Sequence, residues 1–366
     1  MHMNPPFRAD HVGSLLRPAS LRKAFRAHAD GQLSDAEFAT AQDAAILEAV
    51  HLQESLGLQS ITDGEFRRAS YWSHFIDGID GFEVATARFA FHDETGASYP
   101  FLAPHVVGKV RRAAPLSGGE FDFLKGVTKR TPKITLPSPP TFEFWDQRGA
   151  AAAAGYDDVD VFCEDIARVF REELTDLAAR GARYIQLDDV PLAMLCDEGL
   201  RARMTAVGED PDQAAARMIR LFNDCLADRP AGMTVALHVC RGNFKGHWLS
   251  EGGYDWIARR MLREIDVDTY FLEFDTPRAG GFACLADLPA NKSVVLGLVS
   301  SKVPALETWD SLARRVDEAV RYVPLDCLAL SPQCGFASAV SGNPVTQEDQ
   351  AAKLRLIVET AEKIWG

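Results

Sequence analysis

A single (β/α)₈ barrel is the fold this sequence predicts, and three observations predict it. Eight short β-forming runs recur along the chain, long helical stretches separate them, and several runs are apolar at every position. A strand without polar alternation is covered on both faces, as in a parallel sheet wrapped by helices. A count of eight suggests that the sheet closes. The runs are 8–15, 60–65, 133–138, 184–189, 234–240, 269–274, 293–300 and 327–333, with 294–299 the most continuous apolar stretch.

The helices between them carry start and stop signals. Ser34 and Glu37 form a capping-box pattern that opens a helix expected to stop near Gly57. Thr346 and Asp349 open another, with Leu354, Ile357, Val358, Ala361, Ile364 and Trp365 along one face. Residues 160–180, 210–228 and 307–322 show the same period. The alternation fails once, between the second and third runs. Residues 70–132 are rich in Phe, Gly and Pro, and 105–111 predict a hairpin strand there. This interval reads as an insertion covering the catalytic face of one domain, 1–366, and not as a second domain.

Composition narrows the function. The 366 residues are 47% hydrophobic and 25% charged, enough for a sizeable core. Thirty-nine basic against 52 acidic residues give a net charge of −13 with no basic block. That argues against a nucleic-acid binder, which needs clustered cations. No apolar run approaches the roughly 18 residues of a membrane span. The N-terminus has no apolar signal region. Seven cysteines with no CxxC spacing argue against a secreted disulfide framework, and a reducing cytoplasm is expected.

In a barrel, functional groups gather where the strands end. The runs end in Gly13-Ser14, Asp63-Gly64-Glu65, Asp188-Asp189, His238-Val239-Cys240, Glu273-Phe274-Asp275, Ser300-Ser301-Lys302 and Gln333-Cys334-Gly335. His238 and Cys240 stand two apart, so on a strand they face one side. Cys334 and Glu273 end other strands of the same ring. One His, two Cys and one Glu suit zinc, whose borderline-soft character sulfur favours over magnesium or calcium. The bland alternative for each cysteine is inert core packing, and for Glu65 and Asp188 it is helix capping. Cys163, Cys196, Cys225, Cys284 and Cys327 read as structural.

Sulfur-ligated zinc suits the binding of a substrate thiol. A free thiol, with a pKa of about 8.5, is mostly protonated at neutral pH, whereas a coordinated one is deprotonated and can attack an electrophilic carbon. Glu65 and Asp188 could hold an ammonium group, and Ser14 with nearby N–H groups a carboxylate. Amine, carboxylate and thiol together describe an amino-acid thiol such as homocysteine.

These strand ends, in this order, resemble the catalytic domain of the cobalamin-independent methionine synthase family. So does the stretch Leu330-Ser331-Pro332-Gln333-Cys334-Gly335-Phe336, followed by Ala352-Lys353-Leu354-Arg355. The resemblance implies His238, Cys240, Glu273 and Cys334 as Zn²⁺ ligands. It implies Ser14, Glu65 and Asp188 as the homocysteine site, and methyl transfer from a reduced folate as the reaction. Three departures stand out. The full-length family enzyme has two barrels, and this chain has room for one. The family's Asp-Glu-Pro-Ala turn reads Asp188-Asp189-Val190-Pro191. The family's histidine after the seventh strand, linked to leaving-group protonation, aligns with Lys302, and His11 is a second candidate. The chain is also similar to short single-barrel relatives, for which a corrinoid or other methyl-carrier protein or a simple methyl compound is an alternative donor.

The expectation is therefore a zinc-dependent methyltransferase acting as a monomer or homodimer, without nucleic-acid or membrane partners. Competing readings are a zinc-dependent thiol–epoxide transferase and a metal-free lyase resembling uroporphyrinogen decarboxylase. A non-catalytic binding protein on the same barrel is the third.

Overall fold

The structure, a computed structural model, describes residues 6–145 and 149–366. Its centre is a seven-stranded parallel sheet. In chain order its strands are β1 (Ser60–Ile61), β4 (Thr131–Pro137), β5 (Tyr184–Asp189), β6 (Thr234–Val239), β7 (Thr269–Glu273), β8 (Ser293–Val299) and β9 (Leu328–Pro332). Each pairs in parallel with its neighbour in this order. β5, β7 and β9 are buried at every position, the polar ones included, as strands covered on both faces are.

The first run is not a regular strand. Residues 8–15 touch the sheet through one parallel bridge, Ala9 to Leu330, with Asp10 N–H donating to Leu330 O at 2.9 Å. On their other side, Leu15 N–H donates to Gly64 O at 3.1 Å and Thr62 Oγ1 donates to Gly13 O at 2.7 Å. The segment thus spans the gap between β9 and β1 in the eighth position. Side-chain bonds replace the ladder there. Asp10 accepts from its neighbour's His11 N–H, from Ser60 Oγ, from Lys133 Nζ and from Tyr184 OH. The second run is likewise shorter than expected, because residues 62–65 turn away at Gly64 and Glu65, both at positive φ.

Strand alternation builds the barrel interior. Along β5, Tyr184, Gln186 and Asp188 face inward in successive layers: Tyr184 OH donates to Asp10, and Gln186 Nε2 donates to Asp188 Oδ1 at 2.7 Å. Val12, Tyr184, Ala236, Phe271, Val295 and Ala329 pack as one apolar cluster within the ring. Lys133 is fully buried among them, bound to Asp10 Oδ1 and Gln186 Oε1, each at 3.0 Å, and to His11 O. An unpaired buried ammonium would be prohibitive, so this network fixes one arrangement of the floor.

The helices match their sequence signals. Helix Asp35–Ser55 opens on the Ser34/Glu37 capping box, and Gln347–Trp365 opens on the Thr346/Asp349 box. Helices Val159–Arg180, Pro211–Leu226 and Trp309–Ala319 occupy the other periodic stretches. Between β1 and β4 lies an antiparallel pair, β2 (Ile79–His92) with β3 (Ser98–Arg112), which contains the expected hairpin strand. This hairpin leans onto the loop after β6. His92 and Trp248 exchange backbone hydrogen bonds at 2.8 and 3.2 Å, and Tyr99 stacks on His247 at 4.3 Å.

Candidate active site

The strand ends converge on a cavity of about 510 Å³ that the hairpin helps to wall. At its inner end His238, Cys240, Glu273 and Cys334 are all buried, and one ligand atom from each lies within 4.8 Å of the others. Register makes this possible. His238 and Cys240 face inward from β6 and the residue after it, and Glu273 closes β7, where it pairs with Gly297 of β8. A Cβ on Gly297 would sit 2.7 Å from Gln333 Cα, so only glycine lets the chain leading to Cys334 approach. Gly335 does the same against Ser14, whose Oγ would lie 2.0 Å from an added Cβ.

Each of the four has its orientation fixed. His238 Nδ1 lies 3.3 Å from Phe271 O, while its Nε2 is buried with no partner. Glu273 Oε1 accepts from Arg241 N–H at 3.0 Å. The two sulfurs lie 3.3 Å apart, Gly242 N–H donates to Cys240 Sγ at 3.3 Å, and Asn243 Nδ2 lies 3.6 Å from Cys334 Sγ. The hydrogen bond with Cys240 pulls the Cys334 thiol well below its ordinary value, although burial opposes it. The same bond, with burial, pushes Cys240 up. Burial would lower His238, but the adjacent Cys334 sulfur and the Asp188 and Glu273 charges outweigh that and raise it to about 9.

Ser14, Glu65 and Asp188 line the same cavity. Glu65 has φ 61°, a left-handed conformation held by its own N–H donating to Asp63 Oδ1 at 2.8 Å. Its Oε1 accepts from Thr135 Oγ1 at 2.8 Å, and its Oε2 is buried without a partner. Burial raises its carboxyl, with Arg68 at 3.6 Å partly countering. Burial also raises Asp188 to about 7, with His238 opposing and Glu65 adding. Neither acid caps a helix. That task falls to Asp189, which accepts from Leu192 N–H at 2.8 Å and from Ser138 Oγ at 2.7 Å.

The two expected proton donors are placed differently. Lys302 is buried beside the cluster, where its charge partly offsets the burial that raises Glu273, but its Nζ donates to Gly242 O at 2.9 Å. It is not among the residues lining the cavity. His11 lies in the barrel floor with Nε2 3.2 Å from Ser60 O, also off the cavity wall. Burial, with the Lys133 charge, lowers it to about 4, so it is neutral at pH 7. Sequence reasoning missed Asn243, which bonds Gly335 O at 2.8 Å beside its sulfur contact, and Arg68, which ties Glu120 to Thr135 behind Glu65. Position alone marked both: each follows a strand-end motif by three residues.

This ligand cluster stands in a chain whose residues 7–363 match the family model described as "Cobalamin-independent synthase, Catalytic domain". The chain belongs to the cobalamin-independent methionine synthase family. Within it, the chain is 39% identical over 367 residues to the uncharacterized protein YxjG of Bacillus subtilis, covering 99% of this chain and 95% of that one. A structure from Listeria monocytogenes, described as a candidate vitamin-B12-independent methionine synthase, superposes with a TM-score of 0.78 at 29% identity, covering 99% and 98%. The 5-methyltetrahydropteroyltriglutamate–homocysteine methyltransferase of Trichodesmium erythraeum is 24% identical over 91% of this chain, which spans 41% of its length. The synthase family is enzymatic, and its barrel is the one described above. Among the described residues no helix is long and apolar enough to cross a membrane.

Proposed function

We propose that this protein is a zinc-dependent methyltransferase that methylates homocysteine to methionine in the cytoplasm. The observation that carries the reading is the joint placement, in one cavity, of the His238/Cys240/Glu273/Cys334 group with Glu65, Asp188 and Ser14. The donor set fits the metal. Two sulfurs, an unpartnered buried imidazole nitrogen and a carboxylate form a soft-to-borderline group, and Phe271 O holds the other ring nitrogen. Bound zinc would supply a Lewis acid that keeps the substrate thiol ionised at neutral pH.

The remaining chemistry belongs to the chain. Burial raises Glu65 and Asp188, and Glu65 Oε2 has no hydrogen-bond partner, so an arriving ammonium replaces lost hydration and favours their charged forms. Ser14 Oγ, 3.4 Å from Ala337 N, offers the carboxylate a donor on the opposite strand end. Phe91, buried on the hairpin, and Phe101 line the same cavity and help to exclude water from it. Seven free thiols accord with a reducing compartment.

The pair of acids favours an amino-acid thiol over a thiol that lacks the amine, since such a substrate would leave both buried acids unmatched. The test is turnover and binding with zinc-loaded protein. Homocysteine should bind at least tenfold tighter than 2-mercaptoethanesulfonate and yield methionine, and Cys334→Ser should lose both metal and product. Metal-free protein with full activity, or preference for the sulfonate, would overturn the proposal.

A further inference from the structure

The outer half of the cavity has a chemistry of its own. Trp72, Phe91, Phe101, Trp145 and Phe244 line it. Four of them form one connected wall: Phe91 and Phe101 meet edge-on at 4.9 Å, Phe101 meets Trp145 at 5.3 Å, and Phe91 meets Phe244 at 5.5 Å. Val84 and Leu102, half-exposed on the hairpin, carry the apolar surface out to solvent. Asp77 is the one charged side chain lining this half, and no Lys or Arg lines the cavity among the described residues; Lys245, off the lining, holds its Nζ 5.2 Å from the Phe244 ring.

That combination selects against an anionic donor. A polyglutamyl tail or a phosphate would meet aromatic rings and a carboxylate, with no cation lining the cavity to receive it. Aromatic surface with a nearby acid is instead the setting that recognises a methylated cation, through the negative face of each ring. A second argument comes from the leaving group. A tertiary amine such as a reduced folate needs a proton as it departs, and the buried cation Lys302 and the neutral His11 are both off the cavity wall. A methylated onium needs none.

On the reading that this cavity methylates homocysteine, we infer that its methyl donor is an onium compound, a methylsulfonium or a quaternary methylammonium. The thiolate sulfur forms the new S–CH₃ bond while the donor's onium–CH₃ bond breaks. The electron pair of the broken bond stays on the donor atom, which leaves as a neutral thioether or amine. The thiol proton has already gone to solvent, so charge balances without any protein acid. Desolvating the onium among the rings also favours transfer, because its charge disappears as the methyl leaves.

The experiment has two arms. In the first, zinc-loaded protein and homocysteine receive methyl-labelled S-methylmethionine, S-adenosylmethionine, glycine betaine, methyl-tetrahydrofolate (mono- and triglutamate) or methylcobalamin in turn. Labelled methionine should form at least tenfold faster from an onium donor, and the sulfonium and betaine arms tell which kind. Label from folate or cobalamin alone overturns this inference and leaves the methyltransferase reading standing; no label from any donor overturns both. The second arm needs no turnover. Tetramethylammonium should bind the protein tighter than tert-butyl alcohol of similar size, read by calorimetry. Phe101→Leu should weaken that binding about fivefold, and Asp77→Asn about threefold, with unchanged circular dichroism. Equal binding of the cation and the neutral alcohol, or variants that bind like the parent, overturns the inference.

Discussion

The two halves of the cavity are built by different means. The inner half stands on strands: Asp188 and His238 are partners in the parallel ladder, Cys240 directly follows β6 and Glu273 ends β7, and a fully buried network beneath them fixes the floor. The outer half is assembled from the hairpin, Trp72, Trp145 and the loop after β6, joined by ring contacts and three backbone bonds. Ladder and buried charge give the inner half one geometry. The outer half, resting on loops and an edge hairpin, is where opening to admit a donor costs least. Rigid placement of the thiol and an adjustable wall for its partner are the division of labour this barrel teaches.

The largest effect that can break this contrast lies in the floor. Lys133→Met strands Asp10 as an unpaired buried carboxylate, and unfolding by denaturant should show a loss of about 3–5 kcal/mol. A loss under about 1 kcal/mol would mean that the floor is not the rigid half.

His11 gives the next effect, with a definite sign. Its folded value of about 4 lies below the ordinary 6.5, so between these values the unfolded chain binds a proton that the folded chain does not. Its contribution is complete above pH 6.5 and is lost as pH falls toward 4, up to about 3 kcal/mol by linkage. His11→Gln should flatten that part of a stability–pH curve. An unchanged slope would show that His11 is not held neutral in the floor.

The smallest effect sharpens the contrast within the inner half. Asp188→Asn keeps shape and removes charge, so KM for homocysteine should rise about 10- to 100-fold, as expected for a lost charge-assisted hydrogen bond. Tetramethylammonium binding in the outer half should not move. A parallel loss of both would merge the two halves into one site.

Legibility in the sequence follows the same line. The 293–300 run announced β8 through its apolar stretch, and 184–189 matches β5 residue for residue although three of its six residues are polar or acidic. His238 and Cys240 were readable because a two-residue spacing on a strand is already a geometry. The 8–15 run was misjudged as a regular strand, because Asp10 and its neighbours bind through side chains that no periodicity reveals. His11 looked like a strand-end acid and is a floor residue for the same reason. The aromatic wall was legible in part: Trp72, Phe91 and Phe101 lie in the Phe-rich 70–132 interval expected over the catalytic face, whereas Trp145 and Phe244 come from distant stretches that only folding brings to them.

The central claim is that the four-residue group binds metal and receives the substrate thiol. Cobalt substituted for zinc reports on this directly, because each thiolate bound to it adds a sulfur-to-metal absorption band. The wild-type protein should bind one cobalt per chain with bands for two thiolates, and homocysteine should add a third. Homoserine should leave the spectrum unchanged. A cobalt spectrum without sulfur bands, or one that homocysteine does not alter, would contradict the account.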